Sequence, residues 1–135
     1  MAETYRFALM GNPNVGKSSL FNALTGLHQH TGNWPGKTVA TAAGTCSIDG
    51  AAVELIDLPG TYSLSARSPE EEVAAEYISF GCADAVIVVC DATALERNLY
   101  LALQVMEITD HVVICVNLMD EAQKQGIRLD LAALS

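Results

Sequence analysis

Two periodicities alternate along the chain. "YRFALMG" (5–11) is a short apolar run closed by a glycine and predicts a buried strand. In "KSSLFNALTG" (17–26) and the residue after it, Leu20, Phe21, Leu24 and Leu27 recur at helical spacing, with Gly26 as a stop signal. "LHQHTGNWPGKT" (27–38) follows neither period and, with two glycines and a proline, reads as a loop. "TVATAAGTCSIDGAAVELIDLPG" holds two extended runs around Asp49-Gly50, a dipeptide suited to tight hairpin turns. "RSPEEEVAAEYI" starts a helix, with Ser68 as N-cap, Pro69 in the first turn and Glu71 closing a capping box. "DAVIVVCD" (84–91) and "HVVICVN" (111–117) are β-branched runs expected of strands buried on both faces. The amphipathic "LERNLYLALQVMEI" between them predicts a helix. The expected order is therefore β-α-ββ-α-β-α-β, without internal repeats. That order implies an α/β fold with a mostly parallel sheet, one antiparallel hairpin edge and helices on both faces.

Composition narrows what such a fold could do. The 135 residues suit one domain with a single core, and half of them are hydrophobic. Sixteen acids against seven bases give a net charge of −9, which argues against a broad nucleic-acid-binding face. A phosphate ligand stays compatible, because backbone amides and one lysine can hold it locally. The cysteines, Cys46, Cys82, Cys90 and Cys115, form no C-x-x-C and read as reduced structural thiols. "MAETYRFALMG" lacks the basic and apolar regions of a signal peptide. No apolar run approaches the ~20 residues of a membrane helix.

Candidate chemistry concentrates where strands give way to loops. "GNPNVGKSS" (11–19) meets G-x-x-x-x-G-K-[ST] through Gly11, Gly16, Lys17 and Ser18. Its glycines let successive N–H groups approach phosphate oxygens, Lys17 reaches the terminal phosphates, and the Ser18 hydroxyl suits Mg²⁺. The loop follows a predicted strand and opens a helix, whose N-terminus favours an anion. "DLPG" (57–60) also follows a buried strand. There Asp57 could hold Mg²⁺ through water, and the Gly60 N–H could meet a γ-phosphate. After the last apolar run comes "NLMD" (117–120). The carboxylate of Asp120 could accept from both N–H groups on the guanine edge and would face a mismatched edge on adenine, while Asn117 braces the loops. A threonine between the first helix and the hairpin could join the Mg²⁺ shell when a γ-phosphate draws its loop in. Spacing alone does not choose Thr38 over Thr31, Thr41 or Thr45.

Two other clusters invite a metal reading. Glu70, Glu71 and Glu72 are accounted for by the dipole of the helix they begin. His28 and His30, without nearby acids, make a poor Fe²⁺ site.

With these elements in order, the chain resembles a translation-factor-type P-loop NTPase, a Ras-like G domain. More closely it resembles the N-terminal G domain of the ferrous iron transport protein B family. The stretches that carry this resemblance are "GNPNVGKSSLFNALTG", "TGNWPGKTV", "DLPGTYSL", "LERNLYLALQ" and "NLMDEA", and together they span nearly the whole chain. The resemblance implies a GTPase, with GTP, GDP and Mg²⁺ as ligands, that regulates or powers Fe²⁺ uptake. It makes Thr38 the switch threonine and puts Mg²⁺ on Ser18, Thr38 and Asp57. Nucleotide contacts would come from Gly11, Asn12, Pro13, Asn14, Val15, Gly16, Lys17, Ser18 and Ser19, and from Gly36, Lys37, Thr38, Val39 and Ala40. Asp57, Leu58, Pro59 and Gly60, then Asn117, Leu118, Met119 and Asp120, would complete the set.

The resemblance also implies that residues 1–135 are a C-terminally truncated G domain, lacking its last base-contacting loop, strand and helix. A helical regulatory segment and a membrane domain would follow in the same protein, at the cytoplasmic face of the bacterial inner membrane and open to oligomerisation there. Thr61 stands where Ras-like enzymes carry the glutamine that orients water, so hydrolysis should be slow. In K⁺-dependent relatives an asparagine at the position of Asn14 helps hold a monovalent cation. Carbonyls of Gly32 and Trp34 would complete that shell, and Asn14, Thr38 and Gly60 would be the catalytic groups. Trp34 itself is expected to be a loop aromatic. Two other readings remain at this stage, a nucleotide-sensing switch module and a ribosome-assembly or RNA-modification GTPase. The acidic balance argues against the last.

Overall fold

The computed structural model describes residues 4–13, 15–26, 29–34, 39–48, 50–65, 68–80 and 83–117. Strand β1 (Thr4–Gly11) leads into helix α1 (Lys17–Thr25), followed by β2 (Gln29–Asn33), β3 (Ala40–Ile48) and β4 (Ala51–Asp57). Helix α2 (Pro69–Phe80), β5 (Ala85–Asp91), a 3₁₀ turn (Ala92–Ala94), α3 (Leu95–Ile108) and β6 (Val112–Asn117) complete the order. One six-stranded sheet runs β2-β3-β4-β1-β5-β6. β4, β1, β5 and β6 pair in parallel, and β2-β3-β4 form an antiparallel meander.

Strand alternation distributes the core over two faces. Ala8 and Met10 of β1, Ile56 of β4, and Val86, Val88 and Cys90 of β5 pack with Ala74 and Tyr77 of α2 and with Leu101, Ala102 and Val105 of α3. On the opposite face Leu9, Val53, Leu55 and Val89 pack with Val15 and with Phe21 of α1. Burial of the Cys90 thiol, reinforced by the nearby Cys115, pushes its pKa up to about 11, so it stays protonated at neutral pH. Cys46, Cys90 and Cys115 are free thiols, while Cys82 lies outside the described residues.

Two expectations are corrected. Part of the stretch read as a loop, Gln29–Asn33, is a strand paired antiparallel with Ala40–Gly44. Four of its five residues are exposed and none is apolar apart from Gly32, so no alternation marks it; the ladder to β3 makes it a strand. β6 is not buried on both faces. It is the outermost of the described strands on its side, and Val113 is 54% exposed. Trp34 lies in the loop after β2 as expected, and its partly buried ring packs edge-on against Tyr77 with centroids 5.7 Å apart.

At the start of α2, Ser68 Oγ accepts from the Glu71 N–H at 3.2 Å, as a capping residue should. The Glu71 carboxylate accepts from Ser63 Oγ at 3.0 Å, which ties the helix to the segment that follows β4.

Candidate functional site

The C-terminal ends of β1, β4, β5 and β6 are aligned by their parallel registers, which bring the chain's loop motifs to one edge of the sheet. Gly16 sits between β1 and α1 with φ 85°, in the left-handed region that side chains avoid. A Cβ there would also collide with Asn117 Nδ2. Asn117 donates that amide to the Val15 carbonyl at 3.0 Å, so the end of β6 braces the first loop. This is the bracing role that its position in the sequence suggests.

The 57–61 segment is stitched to the same loop. Leu58 N–H donates to Leu9 O at 3.1 Å and Thr61 N–H to Gly11 O at 3.0 Å. Gly60 lies so close to Pro13 that an added Cβ would be 3.2 Å from Pro13 Cα. Between the two loops is a cavity of about 410 Å³ lined by Asn12, Pro13, Gly16, Lys17, Ser18, Ser19 and Gly60. A neighbouring cavity of about 540 Å³ shares Lys17 and Gly60 and adds Asp57, Leu58, Pro59 and residues of β2 and β3.

Lys17 is buried at the junction of the two cavities. Its ammonium pairs with the Asp57 carboxylate and donates to Leu58 O at 2.7 Å. Both partners are shielded, with side chains 10% and 16% exposed. The lysine charge thus occupies the place beside Asp57 where a divalent cation would stand. That stand-in shows that Asp57 fits a cation. Together with the Ser18 hydroxyl it offers hard oxygen donors suited to Mg²⁺ completed by phosphate oxygens and water. Among the described residues, no three His, Cys, Asp or Glu side chains converge on a metal site.

Most of the expected site residues come together here. Gly11, Asn12, Pro13, Val15, Gly16, Lys17, Ser18 and Ser19 form the first loop and the start of α1, and Asp57, Leu58, Pro59 and Gly60 face it. Ala40 and Gly32 line the larger cavity, as do Thr31 and Thr41, whereas Thr45 does not. Val39 is buried, and its carbonyl accepts from the Trp34 N–H at 2.7 Å. Asn14, Gly36, Lys37, Thr38, Leu118, Met119 and Asp120, with His28, lie outside the described residues.

Sequence reasoning missed Asn98. It is buried on α3, its Oδ1 accepts from the Asp91 N–H at 3.2 Å, and its Nδ2 donates to Ala94 O at 2.7 Å. Asp91 in turn accepts from the Thr93 N–H and hydroxyl, at 2.8 and 2.6 Å, and stands beside Asn117 in the β5–β6 register. A polar residue flanked by the leucines of an amphipathic helix was the available signal.

The sequence matches the family "Ferrous iron transport protein B" over residues 5–135. The chain belongs to that family. It is 50% identical over 131 residues to the Fe(2+) transporter FeoB of Shigella flexneri, a match covering 94% of this chain and 17% of that protein. The chain thus spans about a sixth of the length of this relative. Among solved structures, the cytosolic domain of the T. maritima FeoB iron transporter in a GDP form superposes with a TM-score of 0.93 at 45% identity, covering 98% of this chain and 52% of the other. The GMPPNP form of that domain superposes with a TM-score of 0.92 at 46% identity, covering 96% and 52%. At these identities the likeness extends beyond the fold to the family's P-loop GTPase architecture.

Proposed function

We propose that this chain is the guanine-nucleotide-binding and GTP-hydrolysing part of an Fe²⁺ transporter. One observation carries the reading: the P-loop and the 57–60 loop are stitched together around a cavity of about 410 Å³, with Lys17 at its wall. The relatives solved in GDP and GMPPNP forms support it. In this reading the backbone N–H groups of 12–18 and the Lys17 ammonium hold the phosphates. Ser18, Asp57 and Thr38 hold Mg²⁺, which would neutralise charge on the phosphates. Asp120 reads guanine. Asn117 keeps the base loop against the P-loop through Val15. In the same reading this domain stands at the cytoplasmic face of the inner membrane, joined to the helical and membrane parts of one transporter.

Nucleotide competition tests the assignment. The chain should prefer GDP over ADP, and Asp120→Asn should move the preference to xanthine nucleotides; equal affinity for GDP and ADP would end it.

A second reading, a nucleotide-sensing switch with slow turnover, is favoured by Thr61. That residue is 4% exposed and is not among those lining either cavity, so it does not reach where a water-orienting glutamine would act. Comparing phosphate release with Fe²⁺ flux in the full-length protein separates the two.

A further inference from the structure

Two buried side chains stand without hydrogen-bond partners where the loops meet. Asn12 is 2% exposed, lines the smaller cavity, and neither its amide oxygen nor its amide nitrogen has a hydrogen-bond partner. Thr61 is 4% exposed, and its hydroxyl is likewise without a partner. Their backbones are adjacent, because the Thr61 N–H is bonded to the carbonyl of Gly11, the residue before Asn12. Buried polar groups are nearly always paired, since leaving them unpaired forfeits their hydration with nothing in return. Three orphaned atoms at one junction of two loops therefore mark an arrangement that a small displacement would improve. Their chemistry is complementary: a carboxamide offers a donor and an acceptor, and a hydroxyl can answer either.

We infer that Asn12 and Thr61 form a positioning pair whose hydrogen bond closes when a nucleotide bearing a γ-phosphate draws in the 57–61 loop. The inference rests on the guanine-nucleotide reading of the site. Gly60, the residue before Thr61, packs on Pro13, the residue after Asn12, so the two loops touch on either side of the pair. A γ-phosphate bound to the Gly60 N–H displaces the backbone next to Thr61, while the link to Gly11 keeps that backbone beside residue 12. The bond then forms in the triphosphate state and not in the diphosphate state. The pair thus converts the presence of a third phosphate into a fixed course for the segment after Gly60. That segment is the one tied to α3 through Leu64 N–H to Gln104 Oε1, at 2.7 Å, and to α2 through Ser63 and Glu71. Neither residue touches the reacting atoms; both act by setting the loop.

The discriminating quantity is the ratio of GMPPNP affinity to GDP affinity, measured by calorimetry on the full chain with Mg²⁺ present. Asn12→Ala and Thr61→Val should each lower that ratio about tenfold. The double variant should lower it by the same factor, because either change alone already removes the bond. Thr61→Ser, which keeps the hydroxyl, should restore the ratio to within about twofold of the parent. A merely structural role would weaken both nucleotides together and leave the ratio unmoved. An unmoved ratio, single effects that multiply to about a hundredfold, or failure of serine to restore the ratio overturns the pair. If the parent chain binds guanine nucleotides no better than adenine ones, the site reading falls and the pair with it. A guanine-selective parent with an unmoved ratio removes the pair alone.

Discussion

Lys17 illustrates how one side chain can be read from sequence and still be found in an unexpected place. The motif directs its ammonium at phosphates, yet here the charge is held by Asp57 and the Leu58 carbonyl, a residue pair forty positions further on. Nucleotide binding must withdraw the lysine from that anion, and without a divalent cation the carboxylate also repels the incoming phosphates. Asp57→Asn should therefore act with opposite signs in two buffers. In EDTA the variant should bind GDP about tenfold more tightly, roughly 1.4 kcal/mol, because the competing anion is gone. With Mg²⁺ present it should bind more weakly, because a metal donor is lost. Fluorescent-nucleotide titration in the two buffers checks both signs; no gain in EDTA would mean that the Lys17–Asp57 contact does not oppose binding.

Among the elements, the turn between β5 and α3 shows most plainly what a buried polar residue can hold. Asn98 spans it, accepting from Asp91 on the strand side and donating to Ala94 on the helix side. Asp91 faces Asn117 across the β5–β6 register, and Asn117 reaches Val15. The chain of contacts therefore runs from a helix start to the P-loop through two strand ends. Asn98→Ala removes both bonds and leaves the part-buried Asp91 N–H and Ala94 carbonyl without them, which should cost about 1 kcal/mol. Urea unfolding should show this as a lower midpoint at unchanged slope. A variant as stable as the parent would show that the turn is held by other contacts. The element boundaries around this turn were clear from β-branched runs and helical spacing. Asn98 itself was not, because its value depends on a strand end that pattern alone does not bring near.

For the whole molecule, the antiparallel meander β2-β3-β4 carries the larger cavity to the same edge of the sheet as the P-loop. Gly32 on β2 and Lys17 on α1 line that one cavity, which supports the proposal that backbone from the "GNWPG" stretch stands close to bound phosphates. A K⁺ ion held by Asn14 and those carbonyls would supply positive charge where the transition state develops negative charge. GTP turnover should then rise when K⁺ replaces Na⁺, by up to on the order of a hundredfold, or about 3 kcal/mol for one such contact. Asn14→Ala should erase the difference between the salts while leaving nucleotide bound. Phosphate release in matched K⁺ and Na⁺ buffers decides it, and identical rates would remove the cation from the mechanism.

The sequence by itself determined the α/β class, the P-loop, the 57–60 loop, Asn117 as a brace and the membership of the chain in its family. The class and the two loops depend on local spacing, and the family on the resemblance of whole stretches. Alternation of period two separates Leu9 from Ala8 and Met10 onto opposite core faces, and the Gly-rich motif works only between a strand and a helix. Tertiary structure decided the rest. Gln29–Asn33 became a strand because β3 offered a ladder to an otherwise patternless polar stretch. Trp34 packs against the core because the meander brought it to Tyr77. β6 lost one buried face because burial depends on what covers a strand, not on its β-branched composition. Lys17 on Asp57, and the unpaired Asn12 beside Thr61, follow from loops that meet only after the sheet has formed. Local pattern specifies which element a residue joins; only the packed sheet specifies which charges and hydrogen-bonding groups must then share a site.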